Sequence, residues 1–329
     1  MARKKSKLRA GFVSIIGRPN AGKSTLLNAL VGTKLAIVAD KPQTTRTTVQ
    51  GIWTTPEAQV VFLDTPGIHK ADSLINRRMM QEVRNALDER DLLLYLVDAT
   101  RRIDAHDDQA LDLLRKAQTP AFLVLNKIDR VPSKGKLLPL LDAWKEKYEF
   151  KQYFPVSALR EEGLDELRAA IVETLPTGPA FFPPDQITDQ PERFLAAELI
   201  REKILRETRQ EVPHSVAVLI DVWEEKRTLT HIMATVYVER DGQKAIVIGS
   251  KGTTLKNVGT LARRDIETML GRKVFLEIFV KVREDWRESP RFLNELDWRM
   301  SIGSGVTAQP GTDAPAVLDE PAPDRPDES

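Results

Sequence analysis

Gly17-Arg18-Pro19-Asn20-Ala21-Gly22-Lys23-Ser24 fills every position of G-x-x-x-x-G-K-[ST], and its surroundings decide the fold. Upstream, Phe12-Val13-Ser14-Ile15-Ile16 is a short, β-branched apolar run that predicts a buried strand. Downstream, Leu26, Leu27, Ala29 and Leu30 recur at helical spacing. Glycines between a strand and a helix let backbone N–H groups form an anion nest at the helix N-terminus. Such a loop takes a nucleoside triphosphate. Lys23 is expected to reach the β- and γ-phosphates, and the Ser24 hydroxyl to ligate Mg²⁺.

Two later tetrapeptides narrow the ligand. Asp64-Thr65-Pro66-Gly67 ends the buried-strand pattern Ala58–Leu63. A carboxylate there can hold Mg²⁺, directly or through water, and Gly67 lets a backbone N–H approach the γ-phosphate. Asn126-Lys127-Ile128-Asp129 follows the apolar run Ala121–Leu125. The Asp129 carboxylate accepts from guanine N1–H and the 2-amino group. Adenine has neither donor and would strand a buried carboxylate. Asn126 braces the loop or the base edge, and the Lys127 stem covers the ring. Val156-Ser157-Ala158 fits a fifth element offering a backbone N–H to guanine O6; taken alone, a helix cap at Ser157 explains it as well.

The segment that answers the γ-phosphate, switch I, is expected between the first helix and the second strand. Gln43-Thr44-Thr45-Arg46-Thr47 lies there, after Lys41-Pro42. Either Thr44 or Thr45 completes the Mg²⁺ shell, with Thr45 preferred. Lys23, Thr45, Asp64 and Gly67 are thus the expected catalytic set. Ile68 stands where Ras-type proteins carry a water-orienting Gln, and an apolar side chain cannot orient water. Slow intrinsic hydrolysis follows. His69 is a candidate substitute or a bystander.

The chain divides at Pro176-Thr177-Gly178-Pro179-Ala180-Phe181-Phe182-Pro183-Pro184, which cannot form regular structure. We expect a basic arm at 1–9, a nucleotide-binding unit at 10–176, a semi-rigid linker at 177–191 and a second unit at 192–300. Residues 301–329 carry Asp313, Asp319, Glu320, Asp324, Asp327 and Glu328 against Arg325, and are expected to be disordered. In the second unit a helix (192–211), two β-rich runs (215–223 and 229–238), a helix (256–270) and a strand (274–282) are expected. Ile248-Gly249-Ser250-Lys251-Gly252 sits ahead of that second helix. A G-x-x-G loop clamps the backbone of single-stranded nucleic acid in KH modules, and α-β-β-α-α-β is the type II KH order. Between Lys244 and Lys273 seven Lys/Arg face two Asp/Glu, a basic patch suited to phosphates.

These features together resemble the Era family of bacterial ribosome-assembly GTPases, in the wider Era/TrmE group. The resemblance rests on Pro42-Gln43-Thr44-Thr45-Arg46, Asp64-Thr65-Pro66-Gly67-Ile68-His69, Asp189-Gln190-Pro191-Glu192-Arg193-Phe194 and Glu211-Val212-Pro213-His214-Ser215. It implies a Ras-like P-loop α/β domain with a mixed sheet, followed by an α+β type II KH domain. It also implies GTP and GDP binding with Mg²⁺, GTP hydrolysis, and recognition of the 16S rRNA 3′ end during 30S maturation. The RNA clamp then falls on Gly249, Ser250, Lys251 and Gly252, flanked by Ile248 and Lys256. Asn20 resembles a K⁺-binding residue of relatives sharing the Pro-Asn-x-Gly-Lys-Ser pattern. A monomer in the cytoplasm, with peripheral contact at the inner membrane face, is the further implication. Thr47 departs from the His often found there.

Composition is compatible with this reading. The 329 residues carry a formal net charge of +1 and no cysteine, which excludes disulfides and thiolate metal sites. No stretch approaches the ~20 apolar residues of a membrane span, and no leader pattern precedes the first strand. A nucleotide-gated RNA scaffold, an RNA-modification GTPase and a membrane-bound cell-cycle switch are the rival readings.

Overall fold

The structure, a computed structural model, describes residues 8–41, 43–208, 212 and 215–303. The expected basic arm up to residue 7, Pro42, residues 209–211, 213 and 214, and the acidic tail from 304 lie outside the described residues.

Six strands form the first sheet: β1 (Arg9–Gly17), β2 (Val49–Thr54), β3 (Ala58–Asp64), β4 (Leu92–Asp98), β5 (Ala121–Asn126) and β6 (Gln152–Pro155). Their order is β2-β3-β1-β4-β5-β6, with β2 antiparallel and the rest parallel. The helices are α1 (Lys23–Val31), α2 (Leu74–Asn85), α3 (Ala105–Ala117), α4 (Leu137–Lys147) and α5 (Leu164–Thr174). Both faces of the sheet are covered, so its strands read as continuous apolar runs. In β4, Leu92, Leu94 and Leu96 pack with Leu26, Leu30 of α1 and Leu167, Ile171 of α5. The alternate residues Leu93, Tyr95 and Val97 pack with Leu111, Leu114 of α3 and Trp144 of α4. Because β1 lies between β3 and β4, the carboxyl ends of these strands open a crevice where the sheet order reverses. Gly17, Asp64 and Asn126 all end strands at that edge. This is the Ras-like mixed sheet.

The second sheet has order β7-β8-β9, from β7 (Ala217–Glu225), β8 (Leu229–Val238) and β9 (Lys273–Val282). β7 and β8 are antiparallel, β8 and β9 parallel. With α6 (Glu192–Glu207), α7 (Asp241–Ile248) and α8 (Thr253–Leu270) the order is α-β-β-α-α-β, as expected of a KH domain. α8 starts three residues earlier than the expected 256, directly after Gly252 in its left-handed conformation. α6 and α8 pack on one face through Ile200, Ile204, Val258, Ala262 and Ile266. A last pair, α9 (Pro290–Leu296) and α10 (Trp298–Gly303), follows, with Phe292 and Leu293 against Ala217 and Trp286.

The two units share core. Ile37, from the first, is buried in the cluster under α6 and α8, and Ile75 and Met79 of α2 are buried with Trp286 and Phe292. The 177–191 segment also departs from a simple spacer. Ile52 N–H donates to the Ile187 carbonyl at 2.8 Å, and Thr188 Oγ1 to the Gln50 carbonyl at 2.7 Å. Gln59 Oε1 accepts from the Phe181 and Phe182 N–H groups at 2.7 and 3.0 Å. The reason is the sheet edge: β2 has unpaired backbone groups on its outer side, and the strap covers them.

Candidate nucleotide site and RNA-binding loop

The loop after β1 is held from three sides. A Cβ on Gly17 (φ 152°) would stand 2.3 Å from the Leu96 carbonyl oxygen, so the strand neighbour requires glycine. Lys23, 6% exposed, turns its ammonium to the carbonyls of Gly17 and Arg18 at 3.2 and 3.0 Å. Asn126 braces the loop rather than a base edge: Nδ2 donates to the Ala21 carbonyl at 2.8 Å, and Oδ1 accepts the Ala158 N–H at 3.0 Å. That bond also commits the Ala158 N–H to Asn126.

The residues expected to read guanine sit beside it. Lys127, at φ 67°, donates to the Asn20 carbonyl at 2.6 Å and to Asp98 Oδ2 at 2.8 Å, which lays its stem across the crevice. Ser157 Oγ donates to Asp129 Oδ1 at 2.6 Å, and Ile128 N–H to the Val156 carbonyl at 3.2 Å. The fifth element therefore meets the Asn-Lys-Ile-Asp turn directly. Sequence reasoning missed Asp98, although it ends its strand opposite Asn126 in the β4–β5 register. It also missed Asp104 and Asp107, which receive Arg18 Nη1 at 2.7 and 3.3 Å.

Three oxygens converge at the start of α1. Ser24 Oγ lies 2.6 Å from Asp64 Oδ2 and 2.8 Å from Thr45 Oγ1, and Thr45 Oγ1 lies 3.2 Å from Asp64 Oδ2. Thr44 points elsewhere, donating to the Lys41 carbonyl at 2.7 Å. Asp64 Oδ1 is buried without a hydrogen-bond partner. Burial pushes the Asp64 carboxyl up to about 6, against the pull of Lys23, Ser24 and Thr45. Burial likewise pushes the Lys23 ammonium down to about 8, with Asp64 opposing. One carboxylate, two hydroxyls and an orphaned buried oxygen suit a hard divalent cation that draws its other ligands from phosphate and water.

Gly67 packs onto the loop, where a Cβ would stand 2.7 Å from Pro19 backbone atoms. Pro66 and Thr65 precede it, the Thr65 hydroxyl donating to the Ile15 carbonyl at 2.9 Å. Ile68 is 7% exposed and belongs to the core with Ile16 and Met80. His69 Nδ1 faces the Gly67 carbonyl and its Nε2 is buried without a partner.

At the second site, Gly249 (φ 75°) and Gly252 (φ 79°) flank Lys251, itself left-handed at φ 49°. A Cβ on Gly249 would stand 2.2 Å from Thr254 Oγ1, whereas one on Gly252 would meet nothing within 4 Å. Ser250, Lys251 and Lys256 are exposed, Ile248 half-buried. The counted basic excess is partly internal: Arg272 pairs with Glu225 at 2.9 and 3.0 Å.

Comparison with known proteins matches residues 12–127 to the 50S ribosome-binding GTPase family and 211–287 to the KH domain family. GTPase Era of Geobacter metallireducens is 50% identical over 292 residues, covering 88% of this chain and 98% of that protein. The chain belongs to the Era GTPase family. The Era GTPase of Syntrophus aciditrophicus is 47% identical over 292 residues, 88% of this chain and 95% of that one. Among solved structures, a variant of Aquifex aeolicus Era bound to GDP·AlF4⁻ superposes with a TM-score of 0.85 at 41% identity, covering 88% of this chain and 99% of that chain. Era in complex with MgGDPNP and nucleotides 1506–1542 of 16S ribosomal RNA gives 0.85 and 41%, covering 88% and 98%. As an Era-family member, the chain is a GTP-hydrolysing P-loop enzyme with a C-terminal KH domain.

Proposed function

We propose that this chain is a Mg²⁺-dependent GTP switch that grips the 3′ end of 16S rRNA and assists maturation of the 30S subunit. The observation that carries it is the convergence of Ser24, Thr45 and Asp64 beside the phosphate loop, with the KH glycine loop in the same molecule. Ser24 and Thr45 supply hydroxyl ligands to Mg²⁺, and Asp64 a carboxylate, directly or through water. Lys23 neutralises the β- and γ-phosphates, the Gly67 N–H meets the γ-phosphate, and Asp129 reads guanine. The Mg²⁺ ion, when bound, neutralises charge developing on the phosphoryl oxygens. Buried Ile68 leaves no water-orienting side chain at that position, so intrinsic hydrolysis is slow. Potassium at Asn20 belongs to the same reading, as a supplement of charge at the loop crest. Gly249–Gly252 and Lys256 hold the RNA backbone, and the protein acts as a cytoplasmic monomer with units at 10–176 and 192–300. Among the described residues no helix is long and apolar enough to cross a membrane, so membrane contact would be peripheral.

The assignment is tested at the base. Asp129→Asn replaces an acceptor with an amide and lowers kcat/KM for GTP by about 10³-fold while raising use of xanthosine triphosphate. Steady-state kinetics with both nucleotides reads this. Retained guanine selectivity would remove the base-recognition argument.

A further inference from the structure

We propose that Arg201, in the first KH helix, is a positioning residue for GTP hydrolysis: it holds the Thr44 carbonyl and so places the neighbouring Thr45 hydroxyl at the metal corner. The inference rests on the reading above, in which Thr45 meets Mg²⁺ when the γ-phosphate is present. Thr44 cannot take that role, since its hydroxyl is turned to Lys41. Its carbonyl, one peptide bond from Thr45, accepts from Arg201 Nη2. Arg201 has little freedom to swing. It is 2% exposed, and Nε and Nη2 are forked onto Glu198 at 2.7 and 2.6 Å. A planar fork fixed at one edge presents its remaining donors at a defined place.

The same helix pins the segment upstream. Glu202, fully buried, accepts the Val38 N–H at 2.9 Å, and Arg206 donates to the Val38 carbonyl at 3.0 Å. Downstream, Arg46 donates to the Val216 carbonyl at 2.7 Å and lies 5.4 Å over the Trp286 ring. Residues on both sides of Thr45 are therefore held by groups from beyond residue 190. GDP needs none of them: its phosphates and base are met by 17–24 and 126–129. The RNA-binding unit thus completes the hydrolytic site while leaving diphosphate binding alone.

The test uses the full chain with Arg201→Met, Arg201→Lys and, as comparator, Thr45→Ala. Single-turnover hydrolysis at saturating GTP is followed across a Mg²⁺ titration, beside the Kd for GDP. Arg201→Met is expected to slow hydrolysis about tenfold, as a misplaced ligand does, and to raise the Mg²⁺ midpoint about fivefold, with GDP affinity within about twofold. Arg201→Lys keeps the charge against Glu198 without the fork, and falls between. Because Arg201→Met strands Glu198, the double variant Glu198→Gln/Arg201→Met relieves the unpaired charge and must show the same Mg²⁺ shift. Hydrolysis and Mg²⁺ midpoint equal to wild type, beside a crippled Thr45→Ala, would overturn this inference alone. So would parallel loss of GTP and GDP binding, the mark of mere structural support. A Thr45→Ala protein that behaves as wild type would instead remove the metal reading beneath it.

Discussion

The chain carries two glycine loops, and they differ in what crowds them. In the loop after β1, added Cβ atoms would strike the protein itself: Leu96 at Gly17 and, 2.4 Å away, Asn126 Nδ2 at Gly22. In the loop ahead of α8, Gly249 is walled by Thr254 but Gly252 faces open space. The first loop needs glycine to assemble its own pocket, because Asn126 must pass close to reach Ala21. In the second, the φ of 79° by itself asks for glycine at Gly252, and the open side it leaves is where the proposed RNA strand would lie. The difference fits the proposed ligands, a small nucleotide to be enclosed and a strand of RNA to be laid across a surface.

The comparison breaks most sharply at Gly22. Gly22→Ala forces a Cβ into Asn126 at a φ of 99° that L residues rarely adopt, and GDP affinity falls about 100-fold or more. Fluorescent GDP titration reads it; unchanged affinity would show that Asn126 does not brace the loop. Next in size is Gly252→Asp, which sets a carboxylate where the proposed RNA backbone would pass. It weakens binding of the rRNA 3′ fragment about 30-fold with GDP affinity near wild type, and the melting temperature falls only by the backbone strain of a side chain at φ 79°. Gly249→Asp is the contrasting variant, since its clash with Thr254 lowers the melting temperature itself. Equal thermal stability of the two would erase the distinction between them. The smallest effect sharpens the first loop: exchanging NaCl for KCl raises GTP turnover about two- to fivefold through charge at Asn20. Equal turnover in the two salts would remove potassium from the account.

Local patterns made the first loop, Asp64, the Asn126–Asp129 turn and the KH element order legible. Each is a contiguous motif whose chemistry follows from a few residues at fixed spacing. Thr45 was preferred over Thr44 only narrowly, because adjacent hydroxyls look alike until the backbone orients them, with Thr44 turned to Lys41. The face of α6 was hidden for a different reason. Sequence reading expected a helix over 192–211 without assigning its faces, and Arg201, Glu202 and Lys203 prove to be buried consecutively among its apolar residues. Their partners Thr44, Val38, Lys34 and Asp265 are distant in sequence or in another element, so no periodicity points to them. The 177–191 segment misled similarly: its prolines forbid helix and sheet, but not hydrogen bonding to an open strand edge. The linker is not the sole connection: switch I and α2 touch the KH unit directly.

Those contacts continue as far as α8. Lys34 and Lys203 both bridge Glu202 to Asp265, on the helix that follows the KH glycine loop. Burial alone would raise the Glu202 carboxyl, but hydrogen bonds from Lys34, Val38 and Lys203 hold it below its usual range, so the joint stays charged.

The decisive measurement is the affinity of the full chain for a 16S rRNA 3′ fragment, titrated once with GDP and once with a non-hydrolysable GTP analogue in Mg²⁺. The account predicts about fivefold or tighter binding with the analogue, because reciprocal coupling must follow if Thr45 and α6 move as one. Identical affinities in the two nucleotide states would contradict it.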